Sequence, residues 1–560
     1  MVALIMINRI DFQQTRLIER IDEILHPKVR ARLDADWAGV FRNVFLQMMP
    51  VDDIGKSFST DFGRPSKEHY SICGLILLQE YFGWTVEETV KHYLYDLEIH
   101  YALRIEPDGL ELSERTMHRY LKIFRKNELA RTLMESVTQK IIADLDIKVD
   151  KQRLDSTHVF SNMADLTRSM LMFKTLKRFL VQVKRHENKL YHELDEEFRK
   201  LYDGSGKWVY DEKTATRNVR FRGKIYTNKE QVLWDAAEMI RRFENHEKLS
   251  NINTYKDLVR VFHEQCEVVD GSIKRRKHPG GGAMVNTSDP DAGIDNKGVG
   301  YQAQVSQTFN PENPVQIVTV VVPQSASESD QNAVMPMLDE MEKVGAKPEI
   351  ILADSGYGSD GNVVDAAKRD IELIAPTTGK EKDALGLEEC KFDANNRIIE
   401  CPCGRKPLKS TFKDGKGRAV FAHNICGTCP EYKRCCTSKS GNNYVITYDA
   451  KSLRLRERRL YEQTGDYYDE YRFRGGIEAL FGNLKQNTLL RRLRVRGKSA
   501  VDSAIYSIMT MHNIVQAAKI YVNQNKSTPN TAVQTIKSLI SGQKESLAVG
   551  GRVAAMPLAA

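Results

Sequence analysis

The chain has 560 residues, of which 41% are hydrophobic and 28% are charged, an ordinary composition for a globular protein but too long a chain for one compact core. No apolar run approaches the roughly 20 residues that span a bilayer, so the sequence argues against a membrane role. The net charge of +8 is concentrated in residues 401–500, with 22 Lys and Arg against 9 Asp and Glu, which favours a polyanionic partner over a merely solvated basic surface.

Residues 1–135 are predicted to form an all-α N-terminal domain. Thr85 and Glu88 form the pattern of a capping box, and Ser113 is placed to cap a later helix. That later helix has a basic face of the kind that a helix-turn-helix DNA reader presents, although a trihelical scaffold is an equal alternative. The basic residues expected to bind DNA are Arg115, Arg119 and Lys122.

An α/β core is predicted in two pieces, 136–162 and 286–378, separated by a helical insertion at 163–285. Asp155 lies in the strand-like end of the first piece, and Asp354 directly follows a short apolar strand in the second. Strands alternating with crossover helices predict a mixed sheet covered on both faces, whose ligands gather beyond the carboxyl ends of the strands. Taken alone, an Asp at either position is as readily a turn former as a ligand.

Residues 379–454 form a basic, cysteine-rich segment, which we expect to be a zinc-ribbon-like insertion. Six of the nine cysteines lie between Cys401 and Cys436, and such clustering favours a metal over a disulfide framework. Four thiolates satisfy a closed tetrahedral zinc site, and the preferred set is Cys401, Cys426, Cys429 and Cys435. Three side chains are possible substitutes: Cys403, Cys436 and His423. Reduced thiols without metal are the alternative.

Helices that complete the α/β core are predicted within 455–521, followed by a weakly structured tail at 522–560. On a continuous helix with about 100° per residue, one narrow polar face carries Tyr471, Arg474, Glu478 and Lys485. The pair Gly475 and Gly476 weakens this helix and indicates close approach of another backbone. A basic run follows the helix and is expected to contact DNA: Arg491, Arg492, Arg494 and Arg496.

The spacing of the four residues on that polar face resembles the Y-R-E-K signature of insertion-sequence DDE transposases. Asp155 and the segment Ala353 to Tyr357 precede it in the same order, and Phe62 to Tyr120 is similar to the helical domain that opens many such transposases. The resemblance implies an RNase H-like core, a mixed sheet with flanking helices. In such a core the first Asp lies on the first strand, the second Asp just after the fourth, and the Glu on a later helix.

The resemblance also implies the chemistry. Three carboxylates would hold two Mg²⁺ or Mn²⁺ ions about 3.5–4 Å apart for phosphoryl transfer: Asp155, Asp354 and Glu478. Arg474 and Lys485 would position the phosphate of the scissile strand, and Tyr471 would donate to a phosphate or stack on a displaced base. Asp289 and Asp291 remain rival carboxylates, although their Pro-bearing loop is more typical of a turn.

The function expected from the sequence is a DNA transposase that binds the terminal inverted repeats of its element, cleaves the ends and joins them to target DNA. Double-stranded DNA is the partner, and a homodimer on DNA is expected because two ends must be held together. We expect the protein in the bacterial cytoplasm with the nucleoid, and we expect its zinc to be structural. The alternative is a zinc-bearing DNA-binding regulator or an inactive transposase relic, neither of which needs three convergent carboxylates.

Overall fold

A computed structural model of the chain describes residues 7–12, 20–106, 110–164, 166–210, 220–221, 224–225, 227–381 and 383–527. The chain forms two compact units. Among the described residues, the first unit comprises those within 1–80, 84–147 and 509–527, and the second comprises those within 81–83 and 148–508. Within the described ranges no helix is long and apolar enough to cross a membrane.

The first unit is helical. Its capping residues act as the sequence indicates: Thr85 and Glu88 form a capping box, and the Ser113 hydroxyl accepts the N–H of Thr116 at 3.2 Å. The α-helices that begin before residue 147 are Arg20–Ile24, Pro27–Asp34, Trp37–Val40, Val51–Gly55, His69–Phe82, Val86–Tyr95, Leu97–Leu103, Glu114–Lys126 and Leu129–Leu145. A π-helical turn, Phe41–Phe45, and a 3-10 turn, Leu46–Met48, join the third and fourth of these.

The last described helix, Lys498–Ser527, belongs to the second unit at its start and to the first unit from Met509. Its second half packs on Leu129–Leu145, where the Asn513 amide donates to Thr138 at 3.3 Å. The sequence assigned this half to the α/β core, because an apolar stripe predicts burial without identifying the partner. The helix also continues past the predicted boundary at residue 521, and the rest of the predicted tail, from residue 528, lies outside the described residues.

Helices occupy most of the described part of 163–285, around an apolar core of their own that includes Phe179, Phe243 and Leu258. The helices are Arg168–His186, Asn188–His192, Glu196–Asp203, Asn228–Phe243 and Asn253–Gln265, with a 3-10 turn at Lys207–Tyr210. Two small hairpins pair Arg220–Phe221 with Lys224–Ile225 and Cys266–Val269 with Ser272–Arg275.

A six-stranded mixed sheet forms the centre of the second unit. Its main strands in chain order are β1 (Lys151–Val159), β2 (Gly298–Thr308), β3 (Val318–Ser325), β4 (Ile350–Ala353) and β5 (Glu372–Ile374). The spatial order is β3-β2-β1-β4-β5, with β2 antiparallel to β1 and β3, and with β1, β4 and β5 parallel. The remaining short strand, Gly293–Asp295, pairs with the start of β2.

Helices flank this sheet between and after its strands. They include the 3-10 turn Asp330–Asn332 and the helices Val334–Lys343 and Asp360–Ala367. The mixed sheet and its helices are compatible with the RNase H-like core that the sequence predicts. Asp155 lies on the first main strand of the sheet, and Asp354 immediately follows the fourth.

The cysteine-rich segment is β-rich. A four-stranded antiparallel sheet has the order Lys409–Lys413, Lys416–Ala422, Asn443–Asp449, Ser438–Ser440. Lys391–Phe392 and Ile398–Glu400 pair separately, and a short helix, His423–Cys426, follows the second strand of the larger sheet.

Helices close the second unit: Ala450–Tyr461, Gly465–Tyr471, Gly476–Asn487 and the first part of Lys498–Ser527. The first of these begins five residues before the predicted boundary at 455, because Asp449 caps it by accepting the N–H of Ser452 at 2.8 Å.

Candidate active site

Asp155 lies on β1, and Asp354 directly follows the neighbouring parallel strand β4. Leu154 of β1 is paired with Ala353 of β4 in parallel register. The residues that follow them, Asp155 and Asp354, are therefore neighbours across the two strands. The side chain of Asp155 is 13% exposed, and its Oδ1 accepts the N–H of Ser156 at 2.8 Å. Strand pairing thus brings together two carboxylates that are far apart in the sequence.

Glu478 reaches the same place through an arginine. The Arg474 guanidinium donates to Asp155 Oδ2 at 2.9 Å and to Glu478 Oε1 at 2.6 Å. One cation is therefore shared by a largely buried carboxylate on β1, 13% exposed, and a mostly exposed one on the helix Gly476–Asn487. The arginine expected to bind phosphate lies, in this structure, between two of the three predicted metal ligands.

The electrostatic balance at Asp155 has opposing contributions. Burial raises the pKa of Asp155 above its usual range, and the negative charges of Asp354 and Asp330 act in the same direction, while Arg474 lowers it. Burial is the largest cause. A second cation near Asp155 would therefore favour its ionised form.

Asp330 is a further carboxylate near the site, which the sequence did not single out. It opens the 3-10 turn before Val334–Lys343, and its Oδ1 accepts the Gln304 amide at 2.7 Å. A Cβ placed on Gly356 would lie 3.0 Å from Asp354 Oδ1 and 3.9 Å from Asp330 Oδ2. No local pattern distinguishes this Asp from an ordinary helix-opening residue.

The turn that carries Asp354 is held from both sides. Asp354 Oδ1 accepts the N–H of Gly356 at 2.8 Å. Asp354 therefore does form a turn, which the sequence offered as the alternative to metal binding. Tyr357 is fully buried, and its hydroxyl donates to Gln304 Oε1 of β2 at 2.5 Å. These contacts fix the position of the Asp354 carboxylate relative to β2.

Tyr471 ends one helix, and its hydroxyl donates to the carbonyl oxygen of Ala353 at 3.1 Å. Its ring stacks on Tyr467, with centroids 5.1 Å apart. The polar face was predicted on one continuous helix, and that is wrong: a 3-10 turn, Arg472–Gly475, separates Tyr471 from the helix of Glu478. In this structure Tyr471 anchors the end of β4, and its contact with DNA stays a prediction.

Two glycines, Gly475 and Gly476, lie at the start of the Glu478 helix, and close packing explains why the second of them is a glycine. A Cβ on Gly476 would overlap the Arg153 guanidinium, whereas a Cβ on Gly475 would meet nothing within 4 Å. The neighbour is the side chain of Arg153 on β1, not the backbone that the sequence indicated. Arg153 in turn donates to Gln307 and to the carbonyl oxygen of Phe473.

The basic run after this helix is tied to the end of β1. The N–H of Phe160 donates to the Arg491 carbonyl at 3.1 Å, and the N–H of Leu493 donates to the Phe160 carbonyl at 2.8 Å. The Arg492 guanidinium lies 5.3 Å from the centroid of the Phe160 ring. The four arginines predicted to bind DNA are at least partly exposed: Arg491, Arg492, Arg494 and Arg496.

The rival carboxylates have other surroundings. Asp289 is fully buried, and its two oxygens accept the hydroxyls of Ser161 and Tyr301. Asp291 is exposed on the same loop. This environment gives Asp289 a structural role and does not favour either residue over Asp155 or Asp354.

Two cysteine turns face each other in the β-rich segment. The N–H of Gly404 donates to the Cys401 carbonyl, and the N–H of Cys429 donates to the Cys426 carbonyl. The thiols of Cys403 and Cys429 are 3.5 Å apart, and burial raises the pKa of Cys403 to about 12.

The remaining thiols extend this cluster. The charge of a Cys435 thiolate contributes to raising the pKa of both Cys403 and Cys426. The neighbouring thiol of Cys390 raises the pKa of Cys436 to about 12. Cys390 is buried, and the sequence left it out of the cluster because it lies outside the two short motifs. His423 stacks on Tyr444 with rings nearly parallel.

Among the side chains that the structure describes, no three from His, Cys, Asp and Glu are gathered closely enough to hold a metal ion. This holds for both the carboxylates and the thiols. For the carboxylates the cause is visible, because the Arg474 guanidinium lies between Asp155 and Glu478.

In the first unit, the predicted basic face is present and exposed on the helix Glu114–Lys126. Its exposed residues include Arg115, Arg119 and Lys122. The Arg119 guanidinium also lies 4.6 Å from the centroid of the Phe58 ring.

The fold is compatible with the class of RNase H-like nucleases and transposases. Residues 400–518 match the sequence model of a protein family described as a transposase DDE domain. The match includes Glu478, most of the cysteine cluster and the basic run, and it begins after Asp155 and Asp354. It supports a DDE transposase, a DNA-acting enzyme of a family that generally uses divalent metal ions. No curated protein matches the chain.

Proposed function

We propose that this protein is a DDE transposase that binds the terminal inverted repeats of its element, cleaves the ends and joins them to target DNA. The observation that carries the proposal is the convergence of Asp155 in the middle of β1, Asp354 at the end of β4 and Glu478 on the helix Gly476–Asn487. Two ends must be held together for joining, so we propose a homodimer on DNA.

The three carboxylates suit Mg²⁺ or Mn²⁺ in donor type, since these ions prefer carboxylate oxygens. The two ion pairs of Arg474 support this fit, because they show that Asp155 and Glu478 reach one shared cation. When bound, two such ions would stabilise the charge on the attacking and leaving oxygens. Arg474 must leave this position for the carboxylates to bind metal, and its guanidinium can then pair with a strand phosphate.

The experiment that tests the proposal is divalent-metal-dependent nicking of a labelled duplex that carries the inverted-repeat ends of the element. The wild-type protein should nick at the ends and join them to a target plasmid, and Asp155→Asn serves as its matched inactive protein. Tight end binding with no nicking in Mg²⁺ or Mn²⁺ would instead favour the regulator or the inactive relic.

We further propose that the two units divide the work of binding DNA. The basic run lacks Asn and Gln for reading adenine and should contact phosphates, whereas the exposed face of Glu114–Lys126 should read bases. Replacing Arg492 and Arg494 with Ala should weaken binding to specific and random duplexes alike. The salt slope should fall by about one unit for each phosphate that the protein no longer neutralises.

Replacing Arg115 and Arg119 with Ala should reduce binding to the element's end far more than to random DNA. Titration of fluorescent duplexes at several salt concentrations measures both effects. Equal ratios of specific to random binding in the two double variants would contradict the division.

We propose that the cysteine-rich segment binds one structural zinc ion through Cys401, Cys426 and Cys429, with Cys435 or Cys403 as the fourth ligand. The clustering of these thiols, with Cys403 and Cys429 3.5 Å apart, supports the proposal. Zinc would be structural because the segment has only a small apolar core.

Elemental analysis should find about one zinc per chain, because four thiolates complete one closed site. Cys426→Ser and Cys429→Ser should lose the metal and unfold the segment, while Cys436→Ser, at an exposed thiol, should retain it. Comparing Cys403→Ser with Cys435→Ser identifies the fourth ligand. Metal-free protein that remains folded and active would exclude structural zinc.

A further inference from the structure

A short hairpin places a lysine near the end of β1, the strand that carries Asp155. The strand Gly293–Asp295 pairs with the start of β2, and Lys297 lies at the tip between them. Asp295 Oδ1 accepts the N–H of Lys297 at 2.6 Å and that of Gly298 at 2.9 Å. Both bonds shape the tip and leave the Lys297 side chain exposed.

The hairpin tip is anchored to β1. Asp295 Oδ2 pairs with Nδ1 of His158, a buried residue three positions after Asp155, at 2.9 Å. Burial tends to raise the pKa of Asp295, but its hydrogen bonds, that from His158 first, hold it below the usual range. The Asp295 carboxylate therefore joins the hairpin tip to the strand that carries Asp155.

A second anchor joins the tip to the basic run. A Cβ on Gly298 would lie 3.0 Å from the Phe160 ring, so the tip packs directly on that residue. The backbone of Phe160 is hydrogen-bonded to Arg491 and Leu493. Phe160 thus fixes the tip and the start of the basic run relative to each other.

Lys297 and Arg491 lie in two segments that both contact Phe160. Lys485 of the Glu478 helix interacts electrostatically with both of these cations. Burial lowers the pKa of Lys485, and the positive charges of Lys297 and Arg491 lower it further, while Asp155 raises it. None of the three side chains has an acidic group within ion-pair distance among the residues that the structure describes. Gathering like charges that no ion pair neutralises is unfavourable unless an anion binds them.

We propose that Lys297, together with Lys485 and Arg491, binds one phosphate of the DNA strand that lies beside Asp155. This proposal rests on the proposed function and adds a DNA contact from an element outside the Y-R-E-K helix. A phosphate fits as the ligand because two lysine ammonium groups and one arginine guanidinium can donate to its oxygens. A nucleic-acid strand is an extended polyanion, so it can contact cations from several elements of the protein.

The test measures binding of a labelled duplex carrying the element's end, in EDTA, across a range of salt concentrations. Lys297→Ala should lower the salt slope by about one unit, because one phosphate is no longer neutralised, and Lys297→Arg should restore it. The matched control is Lys347→Ala, an exposed lysine that precedes β4, at the end of the strand opposite to Asp354.

A second arm locates the phosphate. Methylphosphonate replacements are placed one at a time along the strand. At one position Lys297→Ala should cause no further decrease in affinity, because the charge that it binds has already been removed. An unchanged slope for Lys297→Ala, or additive decreases at every position, would overturn the proposal.

The two proposals fail separately. A lowered slope in a protein that never nicks DNA keeps the phosphate site and removes the catalytic function. Normal nicking by the wild-type protein, with an unchanged salt slope for Lys297→Ala, keeps the catalytic function and removes the phosphate site.

Discussion

Asp155→Asn, Asp354→Asn and Glu478→Gln should each abolish Mg²⁺-dependent nicking of the element's ends while leaving end binding nearly unchanged. Each change keeps the shape of the side chain and removes the negative charge that a metal ion requires. Metal ions contribute several kcal/mol to phosphoryl transfer, so loss of roughly 4 kcal/mol corresponds to about a thousandfold lower rate. DNA binding should persist because it depends on cations elsewhere in the chain.

The measurement is single-turnover nicking of labelled ends, with binding and thermal unfolding followed on the same proteins. Unfolding matters because Asp155→Asn and Glu478→Gln each remove an ion pair with Arg474. Asp291→Asn is the matched control, since it is an exposed carboxylate from the rival loop. Full nicking by any of the three variants would remove that residue from the site, and loss of nicking in Asp291→Asn would restore the rival.

Gly476→Ala should destabilise the second unit and slow nicking, whereas Gly475→Ala should do neither. Both glycines have α-helical backbone angles, with φ of −66° and −58°, so alanine is conformationally acceptable at each. The difference is space. At Gly476 a methyl group would overlap the Arg153 guanidinium, and at Gly475 it would meet nothing within 4 Å.

Arg153 cannot yield easily. It is 9% exposed, and its guanidinium donates to Gln307 Oε1 at 2.9 and 2.7 Å and to the Phe473 carbonyl at 2.8 Å. Burial lowers the pKa of Arg153 to about 10. Displacing this group, or shifting the helix that carries Glu478, should cost roughly 3 kcal/mol of unfolding free energy, because hydrogen bonds of a buried charge are broken.

Chemical denaturation and single-turnover nicking measure the two effects on matched proteins. Gly475→Ala should be neutral or slightly stabilising, since alanine restricts the unfolded chain more than glycine. If both variants unfold at the same denaturant concentration and nick equally fast, Arg153 does not constrain the start of this helix.

Much of the local structure follows from neighbouring residues in the sequence. The capping box at Thr85 and Glu88 and the cap at Ser113 depend on bonds that span three residues. The short apolar strand before Asp354 and its position at the strand end also follow from local pattern. These interactions are decided within a few residues, so one sequence is enough to predict them.

The single polar face of the Glu478 helix shows where local pattern ends. The periodicity predicted one unbroken helix, but the chain passes through a 3-10 turn at Arg472–Gly475. Tyr471 still reaches the end of β4, and Arg474 reaches Asp155. The residues converge because each contacts a different part of the sheet. Helical periodicity describes only one helix, so it cannot predict these contacts with the sheet.

Only the tertiary structure assigns Arg474 to the carboxylates, Lys297 to the neighbourhood of Lys485, and Met509 onward to the first unit. Arg474 and Asp155 are 319 positions apart in the chain. Partners at such separations are chosen by the packing of strands and helices, which depends on the burial of the whole core. The charge and periodicity of a sequence indicate that a side chain needs a partner. Which residue becomes that partner is decided when distant elements pack together.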